Sequence, residues 1–546
     1  MRRCLPLLAL LLATACGGGS DETRGGPDVV DGNARPVADA GADLQVLVGE
    51  QVVLNGSGSE DREGSVLGYA WSFAGVPEGS TVRFTDGDDR IVNPRFLPDV
   101  PGSYVIRLVV DDGVLESKAD SVTVVAAALP PDVDAGSDQL AVIGGTVRLD
   151  GSASVDPAGG ALAWTWRFTE VPEGAAATLE GAATATPSFV PDRAGRWLLE
   201  LTATTADGGS AADVVAVESY ARGTEGRVTP FAWDLVDAEY DRAHDKLVAV
   251  SAAPNLLHVI DPSTLEEASL ALPKAPLSVS IAPGGATAAV GHDGSLSIVR
   301  LAPLALEATH DLAARADEIV LAANGWAYVF PGLGEPDGAW AVELSSGTVH
   351  EADGWSIDSG TIARLHPDGL RIYGAENGLS PADIERYGIA EGVLTREYDS
   401  PYHGDYPMCG DLWLSEDGAR ILTACGNVFH ASNTRAEDMT YAGSMSVKPL
   451  RSADDSLAAG RIATLPVTGG RNQLPNEAVE LFDRISLEHA ATRPLPPFPG
   501  EGRSWSATGR FVFFDAAGGA VLVLVQAEAG SALAADDGIV RFSLGE

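Results

Sequence analysis

The sequence is short of basic residues, aromatic residues and cysteine. Lysine and arginine number 36 against 77 aspartate and glutamate residues, which gives a net charge of −41. This charge repels a phosphate backbone, and no local basic patch outweighs it, so we expect no nucleic-acid partner. Only 6% of the residues are aromatic, whereas glycine (62) and proline (33) are abundant. This composition favours a turn-rich β protein over a helical one.

Catalytic signatures are also missing. The nine histidines show no paired metal-ligand spacing, and the chain has no nucleophile elbow, P-loop or dinucleotide-binding fingerprint. We therefore assign no catalytic residue, no metal ligand and no cofactor. Whether the protein is an enzyme stays open, and we expect that it is not. The acidic residues are dispersed along the chain, which indicates solubility first and a basic or cationic partner second.

The N-terminus has the residue pattern expected of an export signal. Two arginines precede an apolar stretch, 5–15, that is too short to span a membrane, and small residues lead to Cys16. This pattern resembles a bacterial lipoprotein signal, which implies removal of residues 1–15 and acylation of Cys16. Gly17 in place of an aspartate then implies sorting to an outer membrane. An ordinary secretory signal is the alternative, and in both cases residues 16–33 form a flexible tether.

Two cysteines lie outside the signal region, Cys409 and Cys425. They flank a predicted hairpin, and if Ser415 pairs with Ala419 the same register places the two cysteines directly opposite each other. We therefore predict a cross-strand disulfide, formed in an oxidising compartment. A reduced, buried pair is the alternative, and the spacing is poor for zinc.

Two long segments repeat at nearly constant spacing. The motifs DAGAD, VVLNGSGSED, YAWSF and VPEG begin at residues 39, 52, 69 and 76, and their counterparts begin at 134, 147, 164 and 171. Alternating apolar residues such as those at 104–110 indicate half-buried strands. With turn signals between such runs, each segment predicts about seven short strands and an immunoglobulin-like sandwich.

These motifs resemble the PKD family over residues 34–126 and 129–220, with Trp71 and Trp166 expected to fill the two cores. In that family the domains are mostly spacers or adhesive modules without chemistry of their own. Some PKD domains hold calcium, and six loop aspartates offer oxygen ligands here. They are Asp39, Asp61, Asp111, Asp134, Asp156 and Asp207. Aspartates that cap turns are the commoner explanation, so calcium stays an open alternative.

Residues 225–546 show a different repeat, in which an apolar run, a turn and a second apolar run recur. The turns are expected at Asp245, Gly285, Gly325, Gly369, Gly418, Asp455 and Gly509. Their mean separation of 44 residues fits one four-stranded blade, so seven turns predict seven blades, with six or eight as alternatives. The turn and strand motifs resemble the YVTN-type, lactonase-like and TolB-like β-propellers. Either segment 226–235 or the C-terminal strand at 538–546 can close the ring.

One loop of this region is rich in aromatic residues, YDSPYHGDYPM at 398–408. Exposed aromatic side chains stack on sugars or on protein partners. The candidate binding residues are Tyr398, Tyr402, His403, Asp405 and Tyr406. The alternative is a connection between blades whose aromatic residues pack on the ring.

A propeller also gathers side chains from several blades at its central channel. Candidates that lie near turns are His292, Asp293, His366, Asp368, His403 and Asp411. A channel lined by several carboxylates and a histidine would favour an enzyme, whereas small apolar side chains would exclude one. Ordinary turn and edge residues are the alternative explanation for all six.

The leading hypothesis is a membrane-anchored, extracytoplasmic binding or adhesion lipoprotein. The PKD-like repeats act as a spacer, and the propeller binds an envelope protein or a surface polysaccharide, on the periplasmic or the outer side. This step from fold to function is an analogy. The alternatives are an envelope enzyme on a lactonase- or quinoprotein-like propeller, and a periplasmic assembly factor that docks on a membrane complex.

Overall fold

The computed structural model describes most of the chain after residue 28. The described residues are 29–30, 32–85, 88–330, 332–353, 357–377, 383–402, 404–408, 410–446, 449–467, 477–500, 503–531, 533 and 535–544. Within them every regular element is a β-strand. No helix in this part is long and apolar enough to cross a membrane. The predicted signal and Cys16 lie outside the described residues, so the lipid anchor stays a prediction.

The first sandwich packs two sheets around a tryptophan. Its strands are β1 (Val29–Val30), β2 (Asn33–Ala34), β3 (Leu44–Leu47), β4 (Val52–Val53), β5 (Gly68–Gly75), β6 (Arg95–Phe96), β7 (Gly102–Asp111) and β8 (Asp120–Ala127). The larger sheet has the order β3-β8-β7-β5, with β3 parallel to β8, and the smaller sheet is β4-β6. Alternate residues of β7 are fully buried, and Trp71 is 2% exposed. The predicted period of two therefore places one face of β7 in the core.

The second sandwich repeats this arrangement. Its strands are β9 (Gln139–Val142), β10 (Val147–Arg148), β11 (Ala163–Glu170), β12 (Ser188–Phe189), β13 (Gly195–Thr204) and β14 (Ser210–Tyr220). The larger sheet is β11-β13-β14-β9, the smaller is β10-β12, and β14 pairs in parallel with β9. Trp166 and Trp197 are buried in its core.

The third region consists of antiparallel sheets that follow one another along the chain. It begins with β15 (Thr229–Pro230). Blade 1 has β16 (Leu235–Asp241), β17 (Lys246–Ala252), β18 (Asn255–Ile260) and β19 (Glu267–Ala271); blade 2 has β20 (Pro276–Ile281), β21 (Thr287–Leu301) and β22 (Leu304–Arg315); blade 3 has β23 (Glu318–Leu321), β24 (Trp326–Phe330), β25 (Ala339–Glu343) and β26 (Val349–Asp353).

The remaining blades have the same plan. Blade 4 has β27 (Ile362–Leu365), β28 (Arg371–Ala375), β29 (Ile384–Ala390) and β30 (Val393–Asp399); blade 5 has β31 (Leu412–Leu414), β32 (Arg420–Thr423), β33 (Asn427–His430) and β34 (Tyr441–Ser444); blade 6 has β35 (Leu450–Ser456), β36 (Arg461–Pro466), β37 (Ala478–Asp483) and β38 (His489–Pro494); blade 7 has β39 (Ala507–Phe514), β40 (Ala520–Ala527) and β41 (Asp537–Ser543). The described residues thus form seven such sheets, and the predicted class, two sandwiches followed by a β-propeller, is confirmed.

Packing between blades explains why several strands are apolar along almost their whole length. The first strands of consecutive blades contact each other, from β16 to β39. Strands such as β17 and β40 are buried along almost their whole length, because each faces a neighbouring blade on both sides. Both candidate segments take part in closing the ring: β41 is the third strand of blade 7, and β15 adds the outermost strand.

Two predicted turn positions are wrong. Asp455 lies inside β35 and Gly509 inside β39, whereas the turns of these blades contain Gly460 and Gly518, both with positive φ. Asp455 resembles a turn residue in the sequence but is a buried partner of Arg484. Polar residues inside an inner strand therefore mimic turn signals.

The hairpin of blade 5 differs from its predicted register by one residue. Ser415 N donates to the Arg420 carbonyl (2.9 Å), where Ala419 was the expected partner. The turn therefore holds four residues. Cys409 lies outside the described residues, so the disulfide with Cys425 stays a prediction.

Candidate functional site

In each blade the first and second strands form a hairpin, and the last residue before the turn that pairs across this hairpin serves as a reference. The side chains two and four residues before this reference occupy equivalent positions in all seven blades. The four-residue position holds Asp237, Ser278, Glu318, Ile362, Asp411, Ser452 and Phe511, and the two-residue position holds Glu239, Ser280, Val320, Arg364, Trp413, Asp454 and Phe513. We call these the channel positions, because the first strands surround the axis of the ring.

Five of these side chains connect one blade to the next. They accept hydrogen bonds from backbone N–H groups of the following first strand: Asp237 from Val279 (2.8 Å), Glu239 from Ile281 (2.6 Å), Ser280 from Leu321 (3.1 Å), Ser452 from Val512 (3.1 Å) and Asp454 from Phe514 (2.7 Å). The first strand of a blade has an edge without a strand partner, and these side chains satisfy its N–H groups. The polar channel residues are therefore part of the ring's construction.

Between blades 3, 4 and 5 an arginine takes over this connecting role. Arg364 of blade 4 contacts Glu318 of blade 3 at 2.5 Å and Asp411 of blade 5 at 3.3 Å. The three side chains keep exposures of 31%, 24% and 25%, so water reaches them inside the ring. A second ion pair, Arg242 with Asp454 at 2.5 Å, joins blade 1 to blade 6.

Burial changes the protonation of these carboxyl groups. It raises the pKa of Glu239 to about 8, an effect strengthened by the charge of Asp237 and opposed by the Ile281 N–H. It raises the pKa of Glu318 to about 7, against the attraction of Arg364. Burial also raises the pKa of Asp237 and of Asp411. Burial therefore shifts the pKa values of these channel carboxyl groups upward, and those of Glu239 and Glu318 lie near neutral pH.

Of the six predicted channel candidates, Asp411 occupies a channel position. His292 is instead buried within blade 2, where its ring contacts Ser297 (2.9 Å) and the Ala275 carbonyl (3.0 Å). His366 contacts the Gly418 carbonyl at 2.8 Å, and Asp368 lies beside it. Asp293 lies in β21, outside the channel positions, and His403 is outside the described residues.

The other charged channel residues were not among the residues predicted from the sequence, which were histidines and aspartates near turns. Their signal in the sequence is an acidic or basic residue two or four positions before a turn, inside an apolar strand. The channel has several carboxylates, which would favour an enzyme, but its fourteen described positions include no histidine.

Blade 1 contains a serine, a histidine and a glutamate at the distances of a catalytic triad. Ser251 Oγ lies 2.9 Å from His258 Nε2, and His258 Nδ1 lies 2.7 Å from Glu267 Oε1. Ser251 and His258 are both 0% exposed, and the imidazole stacks on Trp233 with 3.8 Å between ring centroids. Ser251 Oγ also donates to the Pro254 carbonyl at 2.7 Å. Since a substrate cannot reach this hydroxyl, the constellation holds the blade together and does not act as a nucleophile.

The predicted aromatic loop packs against blade 5 but keeps part of its surface in water. Tyr402 meets Tyr406 edge to face at 4.8 Å, and Tyr406 stacks on Tyr441 of β34 at 4.2 Å. All three rings are half-buried, and they lie against buried Phe429. We call Tyr402, Tyr406 and Tyr441 the tyrosine cluster. Asp405 is exposed at the loop tip, and His403 is outside the described residues.

Tyr398 has a different environment at the start of this loop. Its hydroxyl donates to Asp438 (3.1 Å), and the Arg435 guanidinium lies 4.7 Å from its ring centroid. Asp438 is 1% exposed and also accepts hydrogen bonds from Tyr373 and Arg386. Tyr398 is therefore part of the contact between blades 4 and 5.

The described carboxylates include one group close enough to share a cation, Asp234, Asp536 and Asp537. Asp537 is buried and already accepts hydrogen bonds from Leu235 N (2.7 Å) and from Arg510 (3.1 Å). These contacts belong to the closure of the ring between blades 7 and 1.

The predicted calcium-binding aspartates of the sandwiches mostly cap turns. Five of them accept a hydrogen bond from the backbone N–H two residues later: Asp39, Asp61, Asp111, Asp134 and Asp156. This is the commoner role of such residues, and calcium binding by the sandwiches stays a prediction.

The sequence comparisons identify the sandwiches. Residues 40–126 and 135–218 each match a family model of the PKD domain. No curated protein matches the chain.

Several solved structures resemble part of the chain. Hydrazine synthase of Kuenenia stuttgartiensis has a TM-score of 0.37 at 14% identity over 57% of this chain and 99% of its own. Hsv2 of Kluyveromyces lactis has a TM-score of 0.41 at 10% identity over 57% and 100%. The dihydro-heme d1 dehydrogenase NirN has a TM-score of 0.38 at 13% identity over 63% and 72%. At these scores the likenesses carry no argument about activity, and what the fold and the family match support is a multidomain protein with two PKD-like domains and a β-propeller.

Proposed function

We propose that this protein is a membrane-anchored, extracytoplasmic lipoprotein whose propeller binds an envelope partner, with the two PKD-like sandwiches as a spacer. The observation that carries the proposal is that the charged side chains of the channel are bonded to neighbouring blades. Asp237, Glu239 and Asp454 accept backbone hydrogen bonds from the next blade, and Glu318 and Asp411 contact Arg364. Carboxylates used in this way build a rigid ring, which supports a binding scaffold over a catalytic one.

The anchor in this proposal is Cys16. The tether is the part of the predicted segment 16–33 that precedes β1, because Val29–Val30 and Asn33 already form strands of the first sandwich. In the intact cell we expect the protein in the membrane fraction, facing away from the cytoplasm and in the outer membrane if the source has one. Replacement of Cys16 by serine would release the protein from the membrane, and the wild type would carry covalently attached acyl chains detectable by mass spectrometry. An unmodified wild type that stays soluble would contradict the anchor.

The binding surface in this proposal is the tyrosine cluster. Half-exposed aromatic rings supply contact area at low entropic cost, and a sugar ring or an apolar side chain packs on such faces. The partner is an envelope protein or a surface polysaccharide. The net charge of −41 disfavours nucleic acid.

The test is capture on the immobilised chain from residue 17 onward. Solubilised envelope proteins and a panel of surface polysaccharides are applied in parallel, with and without calcium. We expect saturable retention of one species, lost when Tyr402 and Tyr406 are both replaced by serine. The control is Leu333→Ser, which changes an 82% exposed residue of another blade. If the double variant retains the species as well as the wild type does, the tyrosine cluster is not the binding surface. If the wild type retains nothing, the propeller is not a binding domain for these partners.

An envelope enzyme is the second candidate, and the pKa values of the channel favour it. Carboxyl groups with pKa values of about 8 and 7, as for Glu239 and Glu318, are suited to proton transfer near neutral pH. A screen of lactone and ester hydrolysis tests this candidate. Turnover by the wild type that disappears in Glu239→Gln but persists in the tyrosine double variant would establish channel chemistry.

A further inference from the structure

The ring closes through the same piece of chain that connects it to the second sandwich. This piece is residues 221–230, which we call the strap. β14 of the sandwich ends at Tyr220 directly before the strap, and the last two strap residues form β15, the outermost strand of blade 7. Blade 1 begins shortly after, at Leu235. Any load on the sandwich must therefore pass through the closure of the ring.

The strap is attached to β41 by a short series of contacts. Ser543 N donates to Glu225 Oε1 (3.0 Å), and Gly226 N donates to the Arg541 carbonyl (2.9 Å). Thr229 then pairs with Ile539. Val228 between them is 0% exposed and packs with the apolar core of blade 7.

The last residue of the sandwich holds the strap in its bent form. Tyr220 Oη donates to the Val228 carbonyl (2.7 Å), and the Arg227 guanidinium lies 5.6 Å from the tyrosine ring centroid. Gly223 N donates to Thr229 Oγ1 (2.9 Å). Burial raises the pKa of Tyr220, so its hydroxyl keeps its proton and remains a donor.

The direction of the strands determines how the strap comes off. β15 runs antiparallel to β41, so the sandwich end of the strap lies beside the C-terminal end of β41. A pull on Tyr220 first loads its own hydrogen bond to the Val228 carbonyl. Once this bond breaks, the pull reaches the Glu225 contact, then Gly226, then β15, and breaks them one at a time. By contrast, β40 and β41 are joined by seven residue pairs, and a pull on the strap does not break these pairs one after another.

We propose that the strap is a tension-sensitive closure: Tyr220 holds it on blade 7, and load on the second sandwich detaches it before any blade unfolds. Detachment uncovers the edge of β41, and an open strand edge accepts another strand. This inference does not depend on which ligand the propeller binds.

The test is force spectroscopy on the full chain. One handle is placed at the mature N-terminus and the other at Leu370 of blade 4, which is 70% exposed. We expect a short first step that releases about 10 residues, or about 35 Å, well separated from the much longer steps of sandwich or blade unfolding. Tyr220→Phe removes one hydrogen bond and should raise the rate of this step at constant force about fivefold.

The matched control is Tyr104→Phe in the first sandwich. Tyr104 Oη also donates to a main-chain carbonyl, that of Val100 (2.7 Å), and its loss should leave the short step unchanged. A first event as long as a whole sandwich, or equal rates in Tyr220→Phe and the wild type, would overturn the proposal. Amide exchange without load gives a second measurement: Gly226 and Phe231 should be protected in the wild type and exchange faster in Tyr220→Phe only.

Discussion

At the scale of single residues, the two tryptophans of the sandwich cores differ in one hydrogen bond. Trp71 Nε1 donates to the Ile91 carbonyl (3.0 Å), whereas Trp166 Nε1 has no partner among the described residues. The chain at this position is present in both repeats, because Trp71 N donates to the Asp89 carbonyl and Trp166 N to the Ala182 carbonyl, which makes Thr184 the counterpart of Ile91. The two repeats are thus similar in sequence but differ in whether the buried indole N–H has a hydrogen-bond acceptor.

Replacement of each tryptophan by phenylalanine measures this difference. Both changes leave a similar cavity, but only Trp71→Phe also loses a buried hydrogen bond, so it should cost about 1 kcal/mol more. Amide exchange of β7 and β13 in the full chain reports the two costs separately. Equal losses of protection would show that the Ile91 contact adds nothing.

Asp438 is a second residue whose role depends on its partners. It accepts hydrogen bonds from Tyr373, Arg386, Tyr398 and Ser432 N, all within 3.1 Å. Asp438→Asn removes the charge that pairs with Arg386 and turns an N–H group toward these donors. We expect a loss of about 3–5 kcal/mol in the free energy of unfolding, measured by denaturant titration. Asp399→Asn, at a side chain that is 45% exposed, serves as the control and should change little.

At the scale of elements, the first strands of the blades combine an apolar and a charged pattern. Their apolar residues pack between blades, while residues such as Asp237, Glu239 and Arg364 connect neighbouring strands inside the ring. This explains why two predicted turns fell inside strands. A buried aspartate such as Asp455 looks like a turn residue until its partner, Arg484 in the turn after β37, is known.

The channel predicts a pH dependence of stability. Glu239 has a pKa of about 8 in the folded protein against 4.5 in its ordinary state, so the folded protein binds its proton more tightly. This contribution is complete below about pH 4.5 and is lost as the pH rises toward 8. The free energy of unfolding should therefore fall between pH 5 and 8 by about 1 kcal/mol or more.

Glu239→Gln is the variant that isolates this effect. Glutamine cannot ionise, so the decline should become shallower, and at pH 8.5 the variant should be at least as stable as the wild type. Glu173→Gln, at an exposed position of the second sandwich, should keep the full slope. Denaturant titrations at four pH values decide the matter, and parallel curves for Glu239→Gln and the wild type would contradict the assignment.

At the scale of the whole molecule, the net charge of −41 opposes compactness. Salt screens this repulsion, so potassium chloride between 10 and 300 mM should raise the unfolding temperature by a few degrees. Calcium chloride at the same ionic strength separates screening from binding. If the sandwich aspartates hold calcium, micromolar calcium should already give the full rise; if they only cap turns, the two salts should act alike at low concentration.

Much of the architecture was available from the sequence. The repeats at 34–126 and 129–220 predicted two sandwiches, and the recurring apolar runs predicted the propeller, because both patterns arise from local chemistry: strand alternation, turn residues and the burial of strands on both faces. The aromatic loop was also recognised, although its rings pack against Phe429 and are only half-exposed.

The channel was recognised at only one residue, Asp411. The charged residues that meet there come from five blades, and the blades lie dozens of positions apart in the chain. The local pattern within one strand therefore does not show which charged residues of other strands it contacts. The sequence by itself determined the order of domains, the β class and the faces of most strands. The tertiary structure alone decided which alternate side chains connect the blades, the one-residue register of the blade 5 hairpin, and the shared closure by β15 and β41. These depend on the relative positions of distant strands, which ring closure sets and local sequence does not.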